Sequence, residues 1–252
     1  MQLQPVSGLP EIQPGDDLAT LVRERIDLDP DSILCLASTV VSKAEGRFAN
    51  LTEFPAGPRA REIAAHLEEI TDEEKDSRFA QAVLEESTEL LMEAPFLLTE
   101  TRFGHICVNA GIDRSNTGGE ELLLLPKHPT ESAARLSEAL SVPVIVTDTC
   151  GRPFRPGQRG VAIGWAGMPA SRDWRGECDR DGRELGVTVE SVIDELAAAA
   201  NLVAGEGAGG TPAVVVRHFE FGEMEGSNEH FRAVEDDYVR KALRGWSHER
   251  TK

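Results

Sequence analysis

The chain has 252 residues and is 40% hydrophobic, enough to bury a core for one sizeable domain or two intimately joined lobes, so disorder is not the default reading. Asp and Glu number 44 against 26 Lys and Arg, and the resulting net charge of −18 repels nucleic acid phosphates and anionic lipid surfaces, which excludes both as expected partners. No basic-then-apolar leader is present and no run approaches the ~18 apolar residues of a membrane span, which points to a cytoplasmic protein.

In chain order, apolar β-rich runs predict strands at Ile33–Val41, Phe96–Thr101, His105–Asn109, Val142–Thr147, Val161–Ala166 and Ala213–His218. Helical spacing predicts helices at Pro58–Glu69, Asp72–Met92, Thr130–Leu140, Val189–Val203 and Glu229–Leu243. The short connection Arg102–Gly104 suits a hairpin, so the sheet is not purely parallel. The expectation is a mixed α/β fold spanning 1–252 as a single unit, organised as two lobes whose boundary the sequence does not mark. The polar stretch Met168–Val187 lacks periodicity and reads as an active-site loop.

Lysine is scarce, with Lys43, Lys75, Lys127, Lys241 and Lys252 the full set, and acidic residues crowd the predicted helix surfaces. Such a surface resembles that of a halophilic protein, the alternative being an ordinary acidic cytosolic surface. The cysteines Cys35, Cys107, Cys150 and Cys178 lie far apart with no CxxC pair, so they read as reduced, buried thiols rather than zinc ligands.

No GxxxxGK[ST] occurs, so no P-loop cradles a phosphate. Gly205, Gly207 and Gly210 spell GxGxxG but follow a helix and precede a strand, the reverse of the dinucleotide-binding order. Their value lies in a flexible backbone that presents Glu206, a hard oxygen donor, against the plainer reading of a helix stop.

Three further segments carry chemistry. VNAGIDRSN places Asp113, Arg114, Ser115 and Asn116 in a polar turn after a predicted strand. VTDTCGRPFRPGQRG places Asp148 and Thr149 in a second such turn. Each turn alone is as well explained by an Asx turn or helix cap, but together with Glu206 they form an all-oxygen set suited to Mg²⁺ or Mn²⁺ on phosphate oxygens. VVSKAEGR ends a predicted strand with Lys43, a point charge for phosphate or one member of a solvated charge run. No histidine spacing certifies a catalytic base, and no residue is expected to act as a covalent nucleophile.

Taken together, GLPEI, VVSKAEGR, NAGIDRSN, VTDTCGRPFRPGQRGVAIGWAG and ELAAAANLVAGE resemble the coenzyme F420-0:γ-glutamyl ligase family from Gly8 through His218. With the lysine-poor surface, the resemblance points to a halophilic archaeon. It implies a GTP-dependent enzyme that activates a carboxylate of a deazaflavin coenzyme precursor, coenzyme F420-0, and couples it to L-glutamate. GDP, phosphate and an amide would result, with an acyl phosphate between.

Carried over by motif, Asp113, Asp148, Thr149 and Glu206 would hold Mg²⁺ or Mn²⁺ at two sites, with K⁺ as an assisting cation. Leu9, Pro10, Glu11, Ile12, Ser38, Thr39, Lys43 and Asn116 would line the GTP site. The segment Ala204, Gly205, Gly207, Ala208, Gly209, Gly210 and Thr211 would close over the nucleotide. The resemblance also implies a homodimer. A ligase or kinase for another carboxylate and a nucleotide-binding regulator without turnover remain the alternatives at the level of residues.

Overall fold

The computed structural model describes residues 1–115, 117–222 and 225–244. The chain opens with β1 (Gln2–Pro5), α1 (Leu18–Arg23), β2 (Ile33–Ala37), α2 (Ser38–Ala44) and β3 (Phe48–Ala49). Next come α3 (Pro58–Thr71), α4 (Ser77–Glu86), β4 (Ser87–Met92), β5 (Leu98–Thr101), β6 (Ile106–Val108) and β7 (Leu122–Leu123). They are followed by α5 (Pro129–Leu140), β8 (Val144–Gly151), β9 (Gln158–Ala166), β10 (Ser171–Asp173) and β11 (Val189–Glu190). The last elements are α6 (Val192–Ala204), β12 (Ala213–Arg217), β13 (Gly226–Ser227) and α7 (Tyr238–Arg244). The expected mixed α/β class is what the chain adopts. It forms two compact units, one of Met1–Gly46 with His128–His230 and the other of Arg47–Lys127 with the chain from Phe231 onward.

The first unit is built on a five-stranded sheet in the order β1-β12-β2-β8-β9, in which only the β2–β8 pair is parallel. Strands β2 and β12 read as unbroken apolar runs because both faces are covered. Ile33, Cys35, Ile145, Val214 and Val216 pack with Val192, Ile193, Leu196, Ala197 and Ala200 of α6, while alternation leaves Leu34 and Leu36 buried on the opposite face.

Two glycines of β9 set how closely helices lie on this sheet. A Cβ at Gly160 would stand 2.5 Å from the carbonyl oxygen of Ala197 in α6, and one at Gly164 would stand 2.3 Å from the backbone of Pro129 in α5. Residues four apart in a regular strand share a face, but a register shift between the Val146–Gly164 and Thr147–Ala162 pairs turns these two glycines toward opposite helices. Gly164→Ala should therefore force α5 outward and cost about 1–3 kcal/mol, read as a lowered denaturant midpoint at unchanged slope.

The second unit combines an antiparallel sheet β4-β5-β6, a β3–β7 ribbon and helices α3 and α4. Ile63 and Leu67 of α3, Val83 of α4, and Leu97, Leu122 and Leu124 form its apolar core. The expected β5–β6 hairpin is present, with its turn closed by the Gly104 amide on the Thr101 carbonyl.

Several expected boundaries move. The strand expected over Ile33–Val41 stops at Ala37, and Ser38–Ala44 is a short helix in which Ser38, Val40, Val41, Ser42 and Lys43 are all buried, so its apolar residues do not alternate as a half-buried strand would require. The helix expected over Asp72–Met92 is three pieces. Asp72 turns left-handed at the end of α3, the Asp76 carboxylate caps α4, and Ser87–Met92 is drawn into pairing with β5. Of Glu229–Leu243 only the stretch from Tyr238 is α-helix, begun where the Asp237 carboxylate accepts from the Arg240 amide.

Met168–Val187 is not an open loop. It contributes β10 and then continues as a hydrogen-bonded ribbon, with Trp174 N bound to Thr188 O, Gly176 N to Leu185 O and Asp179 N to Arg183 O. Arg172 anchors its base by gripping Glu190 at 2.9 and 3.1 Å among the rings of Trp174, Phe219 and Phe221. The hydrogen bonds from Arg172, and then that from Trp174, hold the Glu190 carboxyl below its ordinary range against the opposing effect of burial. Of the four thiols only Cys35 and Cys107 are buried, whereas Cys150 is half-buried and Cys178 lies exposed on this ribbon.

Candidate active site

Backbone register gathers the distant motifs of the first unit at one end of the five-stranded sheet. Pro5 pairs with Val214, and the next amide, Val6 N, donates to Ala213 O. Ala213 pairs with Leu36, Ala37 N donates to Pro212 O, and Ala37 pairs with Thr147. Four chain segments therefore leave the sheet side by side: residues 6–12 after β1, 204–212 before β12, the start of α2 after β2, and Asp148 and Thr149 near the end of β8. Ligands of open α/β sheets collect at such strand ends, where side chains are held by rigid elements yet remain reachable.

Side-chain contacts tie these segments together. Ser38 Oγ donates to Asp148 Oδ1 at 3.4 Å. Thr149 Oγ1 donates to Glu206 Oε1 at 3.2 Å, and Asn201 Nδ2, from α6, donates to the same oxygen at 2.8 Å. Lys43 is buried on α2 and pairs with Glu11, whose own side chain is largely exposed. Lys43 is thus a held cation inside the fold rather than one of a solvated charge run.

Asp148 and Thr149 lie within β8, paired with Val161 and Gly160, where a turn closing the strand was expected. The strand runs on because the β8–β9 hairpin closes only beyond Gly151. Burial first, and then the Asp148 charge, push the Cys150 thiol up, so at neutral pH it stays protonated beside these carboxylates.

The glycine segment stands open. Gly205 and Gly210 hold φ of 73° and 61°, and a Cβ at Gly205, Gly207 or Gly210 would meet nothing within 4 Å. Thr211 Oγ1 donates to Gly209 O, while Ala204 and Ala208 flank the glycines at the helix end and in the loop. Leu9 is half-buried, Pro10 exposed and Ile12 buried, and Thr39 sits half-buried beside Ser38.

Asp113 belongs to the second unit, where it bridges Leu123 and accepts from the amide and hydroxyl of Ser115 at 2.7 and 2.8 Å, the geometry of an Asx turn. Asn116 lies outside the described residues. Among the described residues, no three His, Cys, Asp or Glu side chains form a ready metal cluster. Asp148, Thr149 and Glu206 are nonetheless hard oxygen donors, and the donor chemistry fits Mg²⁺ or Mn²⁺, which keep several waters or phosphate oxygens in the shell.

Residues 8–218 match the family described as F420-0:Gamma-glutamyl ligase. A relative from Halobacterium salinarum named Coenzyme F420:L-glutamate ligase is 70% identical over 244 residues, 96% of each chain. The chain belongs to the F420-0:gamma-glutamyl ligase family. Members of the same name from Halorubrum lacusprofundi and Archaeoglobus fulgidus are 68% and 48% identical, the first over 98% of this chain and 99% of the relative, the second over 97% and 98%.

In this member of the family, two residues escaped sequence reasoning. Asn201 orients Glu206 from five residues upstream, and its only sequence signal is an amide near the end of a helix that leads into the glycine segment. Asp194 accepts from the Ala162 amide at 2.9 Å and pairs with His230 at 3.5 Å, fixing α6 to β9. Burial raises its pKa, but the His230 contact and the amide outweigh this and hold the carboxyl below its ordinary value.

Proposed function

We propose that this chain is a cytoplasmic ligase of coenzyme F420 biosynthesis, joining L-glutamate to coenzyme F420-0 with GTP as the energy source. The observation that carries the reading is that segments leaving one end of the sheet are linked by the Ser38–Asp148, Thr149–Glu206 and Lys43–Glu11 contacts beside an open glycine segment. No helix among the described residues is long and apolar enough to cross a membrane.

An acid does not condense with an amine while its leaving group is oxide. In the reading favoured here, a carboxylate oxygen of coenzyme F420-0 attacks the γ-phosphorus of GTP and GDP leaves. The α-amine of glutamate then attacks the acyl carbon, the C–O bond to phosphate breaks, and the amine proton is lost to solvent. Lys43 holds phosphate as a point charge, and residues Leu9 to Ile12 with Ser38 and Thr39 line the nucleotide. The glycine segment closes over it and excludes water from the acyl phosphate.

Asp148, Thr149 and Glu206 hold the divalent cation, which when bound supplies neutralisation of phosphate charge. The roles of Asp113 as a ligand and of Asn116 at the nucleotide, K⁺ assistance and homodimeric assembly rest on the family resemblance. With no covalent nucleophile required, the protein works by positioning and electrostatics.

The test is to incubate the protein with GTP, Mn²⁺ or Mg²⁺, L-glutamate and coenzyme F420-0, and to follow GDP together with product mass. A product heavier by one glutamyl residue is expected, and GDP release without it would remove the assignment. Lys43→Gln should raise the KM for GTP about tenfold to a hundredfold, the loss of one hydrogen bond to a charged group, while the KM for glutamate stays put.

A further inference from the structure

The tip of the β8–β9 hairpin is basic in an acidic molecule. Between Asp148 and Asp173 no acidic residue occurs, while Arg152, Arg155 and Arg159 fall within eight positions, in a chain whose net charge is −18. Residues 151–159 are all exposed. Other arginines are tied down, as Arg172 is by Glu190 and Arg240 by Glu89 and Glu100. Among the described residues, the side chains of Arg152, Arg155 and Arg159 make neither a hydrogen bond nor an ion pair.

Between the first two arginines stands Phe154, fully exposed, with φ of 66°. A bulky aromatic in the left-handed region is costly, and hydrophobic burial does not offset that cost here. Pro153 and Pro156 stiffen the turn around it, and backbone strain of this kind concentrates at active sites and ligand clamps.

We propose that this hairpin tip is the arm that receives coenzyme F420-0, with Arg152 and Arg155 gripping its anionic groups and Phe154 stacking on its ring. The inference rests on the ligase reading above. An acid that reacts must bring a carboxylate up to a strongly negative protein, and clustered guanidinium groups both attract it and bind it in a forked geometry. An exposed phenyl ring adds a face for a planar partner, which glutamate lacks.

Topology separates the arm from the nucleotide. The residues assigned to GTP follow β1 and β2, on one side of Asp148, whereas the arm leaves the sheet at its other side through β8 and the edge strand β9. Arg159 pairs with Cys150, two residues past Asp148, so the arm begins where the proposed metal ligands end. The acid is thereby delivered to the phosphate from the side opposite the nucleotide.

The experiment is steady-state kinetics with the full chain, metal, GTP, L-glutamate and coenzyme F420-0, each substrate varied in turn. The double variant R152A/R155A and, separately, Phe154→Ala should raise the KM for coenzyme F420-0 about tenfold or more, leaving the KM for GTP and for glutamate within about twofold. Arg155→Lys in place of Arg155→Ala should recover part of the loss, and the thermal midpoint should not move. An unchanged KM for coenzyme F420-0, or a rise in the KM for GTP or glutamate instead, would overturn the proposal.

Equilibrium binding of coenzyme F420-0, followed by its own fluorescence, separates the two ideas. Binding by the wild-type chain that weakens about tenfold in R152A/R155A sustains the arm even if no glutamate is added. Equal binding by both proteins, or none by either, removes it.

Discussion

Asp148→Ala is expected to lose metal-dependent turnover by roughly a hundredfold or more while the fold persists, because in the proposed reading it holds the cation that neutralises the transferring phosphoryl group. Asp148 sits in the interior of β8, where pairing with Val161 is made by backbone groups that alanine retains. Its side chain is half-buried, so its truncation opens no large cavity. The unfolding free energy should shift by less than about 1 kcal/mol, a modest value for a half-buried side chain.

Asp148→Asn separates size from charge. It keeps the shape and the contact with Ser38 but removes the negative oxygen, and its turnover should fall nearly as far. Glu206→Gln should instead raise the divalent cation concentration needed for half-maximal rate, because Asn201 and Thr149 still orient the side chain. Wild-type product formation by Asp148→Ala would take that residue out of the chemistry.

Arg240→Ala is expected to cost about 3 kcal/mol of stability, the low end for breaking a buried ion pair. Glu89 and Glu100 face each other directly across the β4–β5 pair, where like charges repel. Arg240, 4% exposed, reaches both from α7, with its Nε 2.9 Å from Glu89 and its Nη1 2.9 Å from Glu100. Removing it leaves two opposed carboxylates with Arg244 bound to only one of them, at 2.6 and 2.9 Å. Urea unfolding of the variant against the wild type reads the loss directly.

Its pH dependence has a definite sign. The hydrogen bonds from Arg244, and then those from Arg240, bring the Glu89 carboxyl from 4.5 to about 2 against the opposing effect of burial. A carboxyl depressed in the folded state stabilises above its unfolded pKa, and that contribution is lost as pH falls from 4.5 toward 2. Protonation also relieves the opposed pair in the variant, so the gap between Arg240→Ala and wild type should narrow across this window. A gap that stays constant down to pH 3 would show that the guanidinium contributes packing rather than charge.

The legible parts of the fold were those written in short-range pattern. The cores of β2, β5, β6, β8, β9 and β12 and of α3, α5 and α6 fall within the expected stretches, because apolar alternation or helical spacing is a property of neighbouring residues. The failures have two causes. An apolar run buried on all sides looks alike as strand or helix, which is why Val40 and Val41 were assigned to the wrong element. Ser87–Met92 became a strand only because β5 lies beside it, and no local pattern records a partner eleven residues away.

The candidate site divides in the same way. The types of donor, the scarcity of lysine, the missing P-loop and the family were determined by the sequence itself, since each is a matter of which residues occur and in what order. Only the tertiary structure decided that Lys43 is buried against Glu11, that Asn201 aims Glu206 at Thr149, and that the ends of β1 and β2, the start of β12 and the interior of β8 bring these segments to one end of the sheet. Those are consequences of hydrogen-bond register between strands up to about two hundred residues apart, and register is a relation between segments that neither segment contains.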